Sequence, residues 1–315
     1  MTALLVTPVP EPAQDTRAQD TPARRDGFIL VAVLWILAAL ATLATVYAVY
    51  ISSTATAAAV RDDSLLAHGL ATAAVEIAAL RLVAVPKDKR PSSGEVAFRM
   101  GKASVSATFV SEAARIDLNA APKELLAGLF TALGAQPEAA ADYADRILGF
   151  RAPASGDGGR EAELYRDAGL DYGPRGASFV HVEEIWRVVG LPPALVEQAL
   201  PHLTVFSGRG EINAADADPV VRASLPGGPP PDADDGEGAQ AAPPADLPGT
   251  IRDASDAVRV RIRMDFDTGR RRAAEAVILL RDFGDDPYRV LSWREDAELI
   301  PDDAPPPRPK GERRP

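Results

Sequence analysis

A chain of 315 residues is long enough for one membrane segment and one or two compact domains, and its lack of cysteine excludes disulfides, thiolate catalysis and zinc–thiolate sites. Its 34 basic and 45 acidic residues give a formal net charge of −11, which disfavours nucleic acid as the main partner because an acidic surface repels phosphate backbones. The absence of cysteine fits any compartment and therefore does not indicate one.

The first predicted element is an uninterrupted apolar run, Phe28 to Ile51, which contains no charged residue. At about 1.5 Å per helical residue it is long enough to cross a bilayer. Arg24 and Arg25 stand just before it, and the next charged residue after it is Arg61. The positive-inside rule therefore predicts that residues 1–27 are cytoplasmic and that the bulk of the chain is outside.

Three interpretations of this run stay open on the residues alone. A secretory signal peptide has a shorter apolar region of about 7–15 residues, although residues 57–59, Ala-Ala-Ala, could serve as its cleavage site. A plain signal anchor explains the hydrophobicity completely. A type III signal, cut by a prepilin peptidase between Gly27 and Phe28, also explains why basic residues and a glycine directly precede the run.

The helix is predicted to continue past the membrane to about Val85, with Pro86 ending it. Residues 52–86 are predicted to form the half of this helix beyond the membrane, here called the stem, and one apolar stripe on it is expected to pack under a sheet. The predicted stripe consists of Leu66, Leu70, Ala73, Ile77 and Leu80.

Alternating apolar residues predict an antiparallel sheet from two separate segments, residues 95–118 and residues 251–300. The first segment reads as a hairpin and the second as a three-stranded meander. In the meander, Arg259, Arg261 and Arg263 alternate with apolar residues, and we expect these arginines on the solvent face, paired with acidic neighbours.

A helical block, residues 119–213, is predicted between these two segments from its Ala- and Leu-rich helical spacing. Four helices are expected, within residues 122–133, 137–150, 181–190 and 193–203, with a short one at 161–167. Asn119 and Asn213 stand in similar contexts, each followed by Ala and then Pro, and are predicted to be helix N-caps. Residues 226–249 are rich in Pro, Gly and Asp and are predicted to be a disordered loop, and the Pro-rich tail 301–315 is also predicted to be disordered.

Chemistry-bearing motifs are sparse. The three histidines have no metal-ligand spacing, and no catalytic serine elbow or phosphate loop is present. Clustered carboxylates are candidate calcium ligands, with a solvated acidic surface as the alternative. These candidates are Asp157, Glu161, Glu163, Asp167 and Asp171. A helix-hairpin-helix DNA-binding module is a further alternative, but the glycine-paired hairpin that would hold a phosphate is missing.

The order of these segments resembles the type II secretion minor pseudopilin K (GspK) family, over roughly residues 27–295. The motifs that carry the resemblance are GFILVAVLWIL, ARIDLNAAPKELL, ASFVHVEEIWRVVGL, LTVFSGRGEINAA and VILLRDFGDDPYRVLSWRE. The resemblance implies an α+β fold with a long N-terminal transmembrane and stem helix, of which residues 28–51 lie in the membrane. The stem packs on a small antiparallel sheet, and an all-α, SAM-like domain is inserted in the chain.

The resemblance also implies processing. Residues 1–27 would be a leader removed by cleavage between Gly27 and Phe28, and the new amine of Phe28 would be N-methylated. Most pilins carry Glu at the fifth mature position, where this chain has Ala32. Members of the K family likewise lack that Glu, which suits the end of a filament rather than its shaft.

The implied function is that of a tip subunit, which helps initiate or cap the periplasmic pseudopilus that drives protein export across the outer membrane. The implied partners are other minor pseudopilins, the prepilin peptidase, the inner-membrane assembly platform and the lipid bilayer, without nucleic acid. No enzymatic activity or required cofactor is implied, and the location is a single pass of the inner membrane. A minor tip pilin of a type IV pilus and a plain membrane-anchored periplasmic adaptor remain the alternatives.

Overall fold

A computed structural model describes residues 26–153, 157–231, 247–282, 284 and 286–295. The predicted leader lies almost entirely outside this part of the chain, as do the tail 301–315 and most of the segment 226–249. The chain divides into two compact units, Met1–Asp63 and Ser64–Pro315, which are described separately below.

The described elements alternate in type along the chain. In chain order they are α1 (Asp26–Val83), β1 (Ser93–Met100), β2 (Ala103–Ser111), β3 (Ile116–Asp117), α2 (Lys123–Ala132), α3 (Pro137–Arg151), α4 (Asp157–Asp167), α5 (Pro193–Ala199), β4 (Leu203–Thr204), α6 (Pro219–Ala223), β5 (Ala257–Phe266), β6 (Arg271–Leu280) and β7 (Tyr288–Glu295). Short 3-10 helices lie at Lys87–Lys89, Glu112–Ala114, Val182–Arg187 and Leu200–His202.

An antiparallel sheet of five strands, in the order β1-β2-β5-β6-β7, is the centre of the second unit. The hairpin β1–β2 turns at Gly101, whose φ of 60° is costly for residues with a side chain. Strand β5 then pairs with β2, so residues far apart in sequence share the sheet. The alternation predicted for β5 is present, since Val258, Val260, Ile262 and Met264 are all buried on one face.

The C-terminal part of α1, from Ser64 onward, packs on that apolar face of the sheet. The helix side in contact is rich in small residues, because alanines let the helix approach the sheet closely. Its buried residues are Leu70, Ala71, Ala74, Val75, Ala78, Ala79 and Leu82. The prediction of which face of α1 packs on the sheet was therefore wrong. Leu66 and Leu80 are 49% and 69% exposed, and only Leu70 of the five predicted residues is fully buried.

A second core lies among the inserted helices and extends beyond the predicted boundary at residue 213. It joins Leu125, Leu126, Leu129 and Phe130 of α2 to residues on α3, α5 and α6, and it continues as far as Leu225. The insert is also not purely helical, because β3 and β4 form a short parallel pair. The predicted third helix is a 3-10 helix, Val182–Arg187, ended before Gly190 and Pro192.

Candidate functional site

The first unit presents an apolar helical surface that is exposed along its whole described length. Phe28, Trp35 and Tyr50 are 78%, 73% and 66% exposed. The segment Phe28–Ser52 has the length and composition of a membrane span, and none of it is buried within the described chain. So large an apolar surface is stable only in lipid or against other apolar helices.

The polar side chains on this helix are compatible with lipid. The hydroxyl of Thr45 donates a 2.8 Å hydrogen bond to the carbonyl oxygen of Ala41, and Thr54 donates one of 2.8 Å to Tyr50. Such bonds to the preceding turn satisfy the hydroxyl without any external partner. The candidate processing site, Gly27 and Phe28, lies in the first turn of α1, and Ala32 lies one turn further along.

Two equivalent turns lie at the start of the insert and ahead of its last helix, α6, but these are not the predicted helix caps. Asp117 and Asn213 occupy the same position in them: each side-chain oxygen accepts a hydrogen bond from the backbone N–H two residues later, at 2.7 and 3.1 Å. The prediction that Asn119 and Asn213 cap helices was wrong, because α2 starts after Pro122 and the cap of α6 is Asp218. The similarity of the two segments is real, but it is displaced by two residues at the first.

The turn at Asn213 and the segment that follows the insert are both held beside the end of β2. The backbone N–H of Asn213 donates to the carbonyl oxygen of Ala113 at 2.8 Å. The backbone N–H of Ser255, where the chain returns to the sheet, donates to the hydroxyl of Ser111 at 2.8 Å. The chain on both sides of α6 is therefore anchored beside the end of β2, close to where the insert begins.

Asn119 has a different role, which sequence spacing did not indicate. Its amide donates to the carbonyl oxygen of Phe179 at 3.0 Å and accepts from the N–H of the same residue at 2.7 Å. The pair of bonds holds a loop 60 residues away and stacks Phe179 on Phe150, with ring centroids 4.9 Å apart. Asn119 thus closes the helical core rather than starting a helix.

A buried ionic joint connects the insert to the sheet. Arg259 donates to both oxygens of Glu112, at 2.7 and 3.1 Å, and to Glu275 at 2.6 Å. Arg261 donates to the second oxygen of Glu275 at 3.3 Å, and the hydroxyl of Thr204 in the insert donates to Glu112. We call Glu112, Arg259, Arg261 and Glu275 the ionic joint.

The prediction that the arginine row of β5 faces solvent is therefore wrong at its first position. The side chain of Arg259 is only 12% exposed and that of Glu112 is fully buried, whereas Arg261 is 46% exposed. Pairing with acidic neighbours was expected and is present. The insert covers this end of the row, and strand alternation contains no sign of that cover.

Glu275 gives the ionic joint a pH dependence. Burial raises the pKa of this carboxyl, but the charges of Arg259, Arg261 and Arg115 outweigh that effect and lower the pKa below its ordinary value of 4.5. A carboxyl with a lowered pKa in the folded state stabilises the fold above its unfolded pKa, and this stabilisation disappears as pH falls through the folded pKa.

We therefore expect a Glu275→Gln variant to be less stable than the natural chain at pH 7. The difference in free energy of unfolding should shrink progressively below about pH 4.5. Thermal unfolding of both full-length proteins between pH 3 and pH 7 measures it. Glu95→Gln, at an exposed position of β1, is the matched control and should follow the natural chain throughout. A stability difference between the natural chain and Glu275→Gln that stays constant from pH 3 to pH 7 would contradict a lowered pKa of Glu275 in the folded chain.

The stem is tied to the last strand at two points. His68 pairs with Glu295, which also accepts a 2.8 Å hydrogen bond from the indole of Trp293. About two turns further along α1, Glu76 accepts a 2.8 Å hydrogen bond from the hydroxyl of Tyr288. The motif that ends the meander therefore positions the stem helix on the sheet.

The candidate calcium ligands whose side chains the structure describes are not brought together. Glu161 is buried and paired with Arg146 at 3.3 Å, Glu163 is exposed beside Arg166, and Asp171 lies beyond the end of α4. The side chain of Asp157 is outside the described residues, and Asp167 is exposed at the helix end. Within the residues that the structure describes, no group of three potential metal ligands forms.

Two comparisons with known proteins found chains that are similar to this one. A family model described as type II secretion system protein K matches residues 107–208, which run from β2 through the insert to the residues after β4. A chain of the crystal structure of the GspK–GspI–GspJ complex, from the type 2 secretion system of enterotoxigenic Escherichia coli, has a similar fold. Its TM-score is 0.51 at 17% sequence identity, over 73% of this chain and 94% of that chain. No curated protein sequence matches the chain significantly.

Both comparisons agree with the resemblance that the motifs predicted. The structural match shows the α+β fold, with a long N-terminal helix, an antiparallel sheet and further helices, so the predicted fold class is confirmed. Together with the family match, it confirms the resemblance to protein K of the type II secretion system. The exposed apolar helix near the N-terminus fits a single-pass membrane anchor.

Proposed function

We propose, from the premise that this chain is similar to type II secretion protein K in sequence and in fold, that it is the tip subunit of a periplasmic pseudopilus. In this role it helps initiate or cap the fibre that drives protein export across the outer membrane. The observation that carries the proposal is the exposed apolar helix whose first turn contains Gly27 and Phe28.

The precursor is proposed to insert in the inner membrane with its N-terminus in the cytoplasm. A prepilin peptidase then removes residues 1–27 and methylates the amine of Phe28. The exposed apolar surface from Phe28 to Ser52 afterwards packs against the helices of other subunits, which accounts for its lack of cover within the described chain.

Two features support a place at the end of the fibre. Ala32 offers no carboxylate to the N-terminal amine of a neighbouring subunit, a pairing that is valuable in lipid. The insert, which is joined to the polar face of the sheet, adds bulk to the head and would obstruct a subunit stacked above it. The complex that contains the similar chain also contains GspI and GspJ, and we propose equivalent minor pseudopilins and the assembly platform as partners.

The decisive experiment determines by mass where the N-terminus of the membrane-extracted full-length protein begins, with and without a co-expressed prepilin peptidase. We expect a chain that begins at methylated Phe28 only when the peptidase is present. A Gly27→Val variant, which places a branched side chain at the cleavage site and keeps the apolar run, is expected to stay uncut.

An uncut N-terminus beside a peptidase that cuts a control prepilin would refute the proposal and leave a plain membrane-anchored periplasmic adaptor. If cleavage occurs, crosslinking between the mature chain and its filament partners distinguishes a type II pseudopilus from a type IV pilus.

A further inference from the structure

The polar face of the sheet carries an ordered grid of charged side chains. Pairing of β5, β6 and β7 places Arg261, Glu275 and Arg294 in one row across three strands. In the adjacent row, Arg259 is followed by Val277 and Ser292. Because strand residues alternate between faces, all of these side chains point to the side opposite the stem helix.

The insert does not close completely on this grid, and a cleft of about 260 Å³ remains between them. Its other wall is formed by Arg115 and by residues near His181, Leu200 and Phe206. The volume is below the roughly 300–1,000 Å³ that small-molecule sites typically have. The cleft has room for one or two side chains and is too small for a nucleotide or a folded element.

Positive charge is in excess in the cleft, although the chain as a whole is acidic. Four arginines and two glutamates line it, and each of these glutamates already has an arginine partner. Arg115 is different, because its hydrogen bond goes to the carbonyl oxygen of Pro201 and not to a carboxylate. Burial and the charge of Arg259 lower the pKa of Arg115 to about 10, as expected for a cation with incomplete compensation.

We propose that this cleft is a carboxylate-binding site, which takes an acidic side chain presented by an extended segment of a partner protein. The fork of the Arg115 guanidinium matches the geometry of a carboxylate. With the buried Glu112 behind Arg259 included, the four arginines face three glutamates, so one positive charge is left in excess to favour an anion. The inference is separate from the proposed pseudopilus role, since it concerns the joint between sheet and insert and not the membrane helix.

The apolar residues that line the cleft favour a carboxylate on a peptide over an inorganic anion. Val182, Leu200, Leu203, Phe206 and Val277 contribute about as many lining residues as the charged groups. A peptide supplies apolar atoms beside its carboxylate and can cover this surface, whereas phosphate cannot. The expected ligand is therefore a Glu or Asp with an apolar neighbour.

Fluorescence anisotropy with the full-length protein in detergent tests the proposal. The probe is a fluorescein-labelled peptide Ala-Leu-Glu-Leu-Ala with blocked ends, and its matched partner has Gln in place of Glu. We expect the Glu peptide to bind at least about ten-fold more tightly than the Gln peptide, because hydrogen bonds to a charged group are worth about 1.5–3 kcal/mol.

Arg115→Met is expected to abolish that preference, while Arg263→Met, on the same strand face but outside the cleft, keeps it. Arg261→Met is a second cleft variant at a more exposed side chain and should weaken the preference even if Arg115→Met fails to fold. Equal binding of both peptides, or unchanged preference in both cleft variants, would overturn the proposal.

Two further outcomes would overturn the choice of ligand. Displacement of the Glu peptide by an equal concentration of inorganic phosphate would assign the cleft to inorganic anions. A more than ten-fold gain in affinity after removal of residues 296–315 would show that a carboxylate of the chain's own C-terminal segment, and not a partner protein, occupies the cleft.

Discussion

Replacing Arg259 with Met is expected to lower the free energy of unfolding by about 3–5 kcal/mol, the range typical of breaking a buried ion pair by removing one partner. The reason is the carboxylate left behind, since Glu112 is fully buried and would keep only the hydroxyl of Thr204 as a side-chain donor among the described residues. Urea unfolding of the full-length protein in detergent, followed by tryptophan fluorescence, measures the change.

Arg263→Met is the matched control for this change, because it removes the same group from the same face of β5 outside the ionic joint. A change of at most about 0.5 kcal/mol is expected there, as for most substitutions away from buried networks. The double variant Glu112→Gln, Arg259→Met should lose less stability than the sum of the single variants, because the residues are in direct contact. Equal losses for Arg259 and Arg263 would contradict a buried ionic joint.

Replacing Gly128 with Ala is expected to destabilise the insert by about 1–3 kcal/mol, as overpacking of a closed core usually does. A Cβ at this position would lie 2.0 Å from the backbone oxygen of Ser224, so α2 and the end of α6 would have to separate. The neighbouring Leu129 and Phe130 are fully buried, which leaves no space for this movement. The midpoint of thermal unfolding measures the effect.

Gly69→Ala makes the same chemical change in the interior of α1, where a Cβ would meet nothing within 4 Å. Here the substitution should stabilise the helix by about 0.5–1 kcal/mol, since alanine restricts the unfolded chain more than glycine does. The two variants are thus expected to shift the unfolding temperature in opposite directions. A shift of the same sign in both would show that the contact at Ser224 does not constrain the insert.

Much of the architecture was readable from local patterns. The apolar run after Gly27 predicts a membrane-type helix from its length and lack of charge, and the regular alternation from Val258 to Phe266 predicts β5. These signals depend only on neighbours along the chain, where helical and strand periods are directly visible. The motifs in order were also sufficient to predict the resemblance to protein K, which the comparisons confirm.

Local patterns were less reliable where a long-range contact decides the outcome. The stem helix offered leucines and alanines on different sides, and the sheet selected the alanine side because it permits closer packing, leaving Leu66 and Leu80 exposed. Asn119 resembled a helix cap, but its amide bonds to the backbone of Phe179, which no local pattern connects with it.

The sequence by itself determined which segments are apolar, which strands and most helices form, and what kind of protein the chain resembles. Only the tertiary structure decided which charges are buried. Glu112 and Arg259 are separated by 147 positions, and they meet because β5 pairs with β2 while the insert folds over the end of the arginine row. A charged side chain becomes buried when elements that are distant in sequence pack over it. Its burial therefore depends on the assembled fold and not on the residues next to it in the chain.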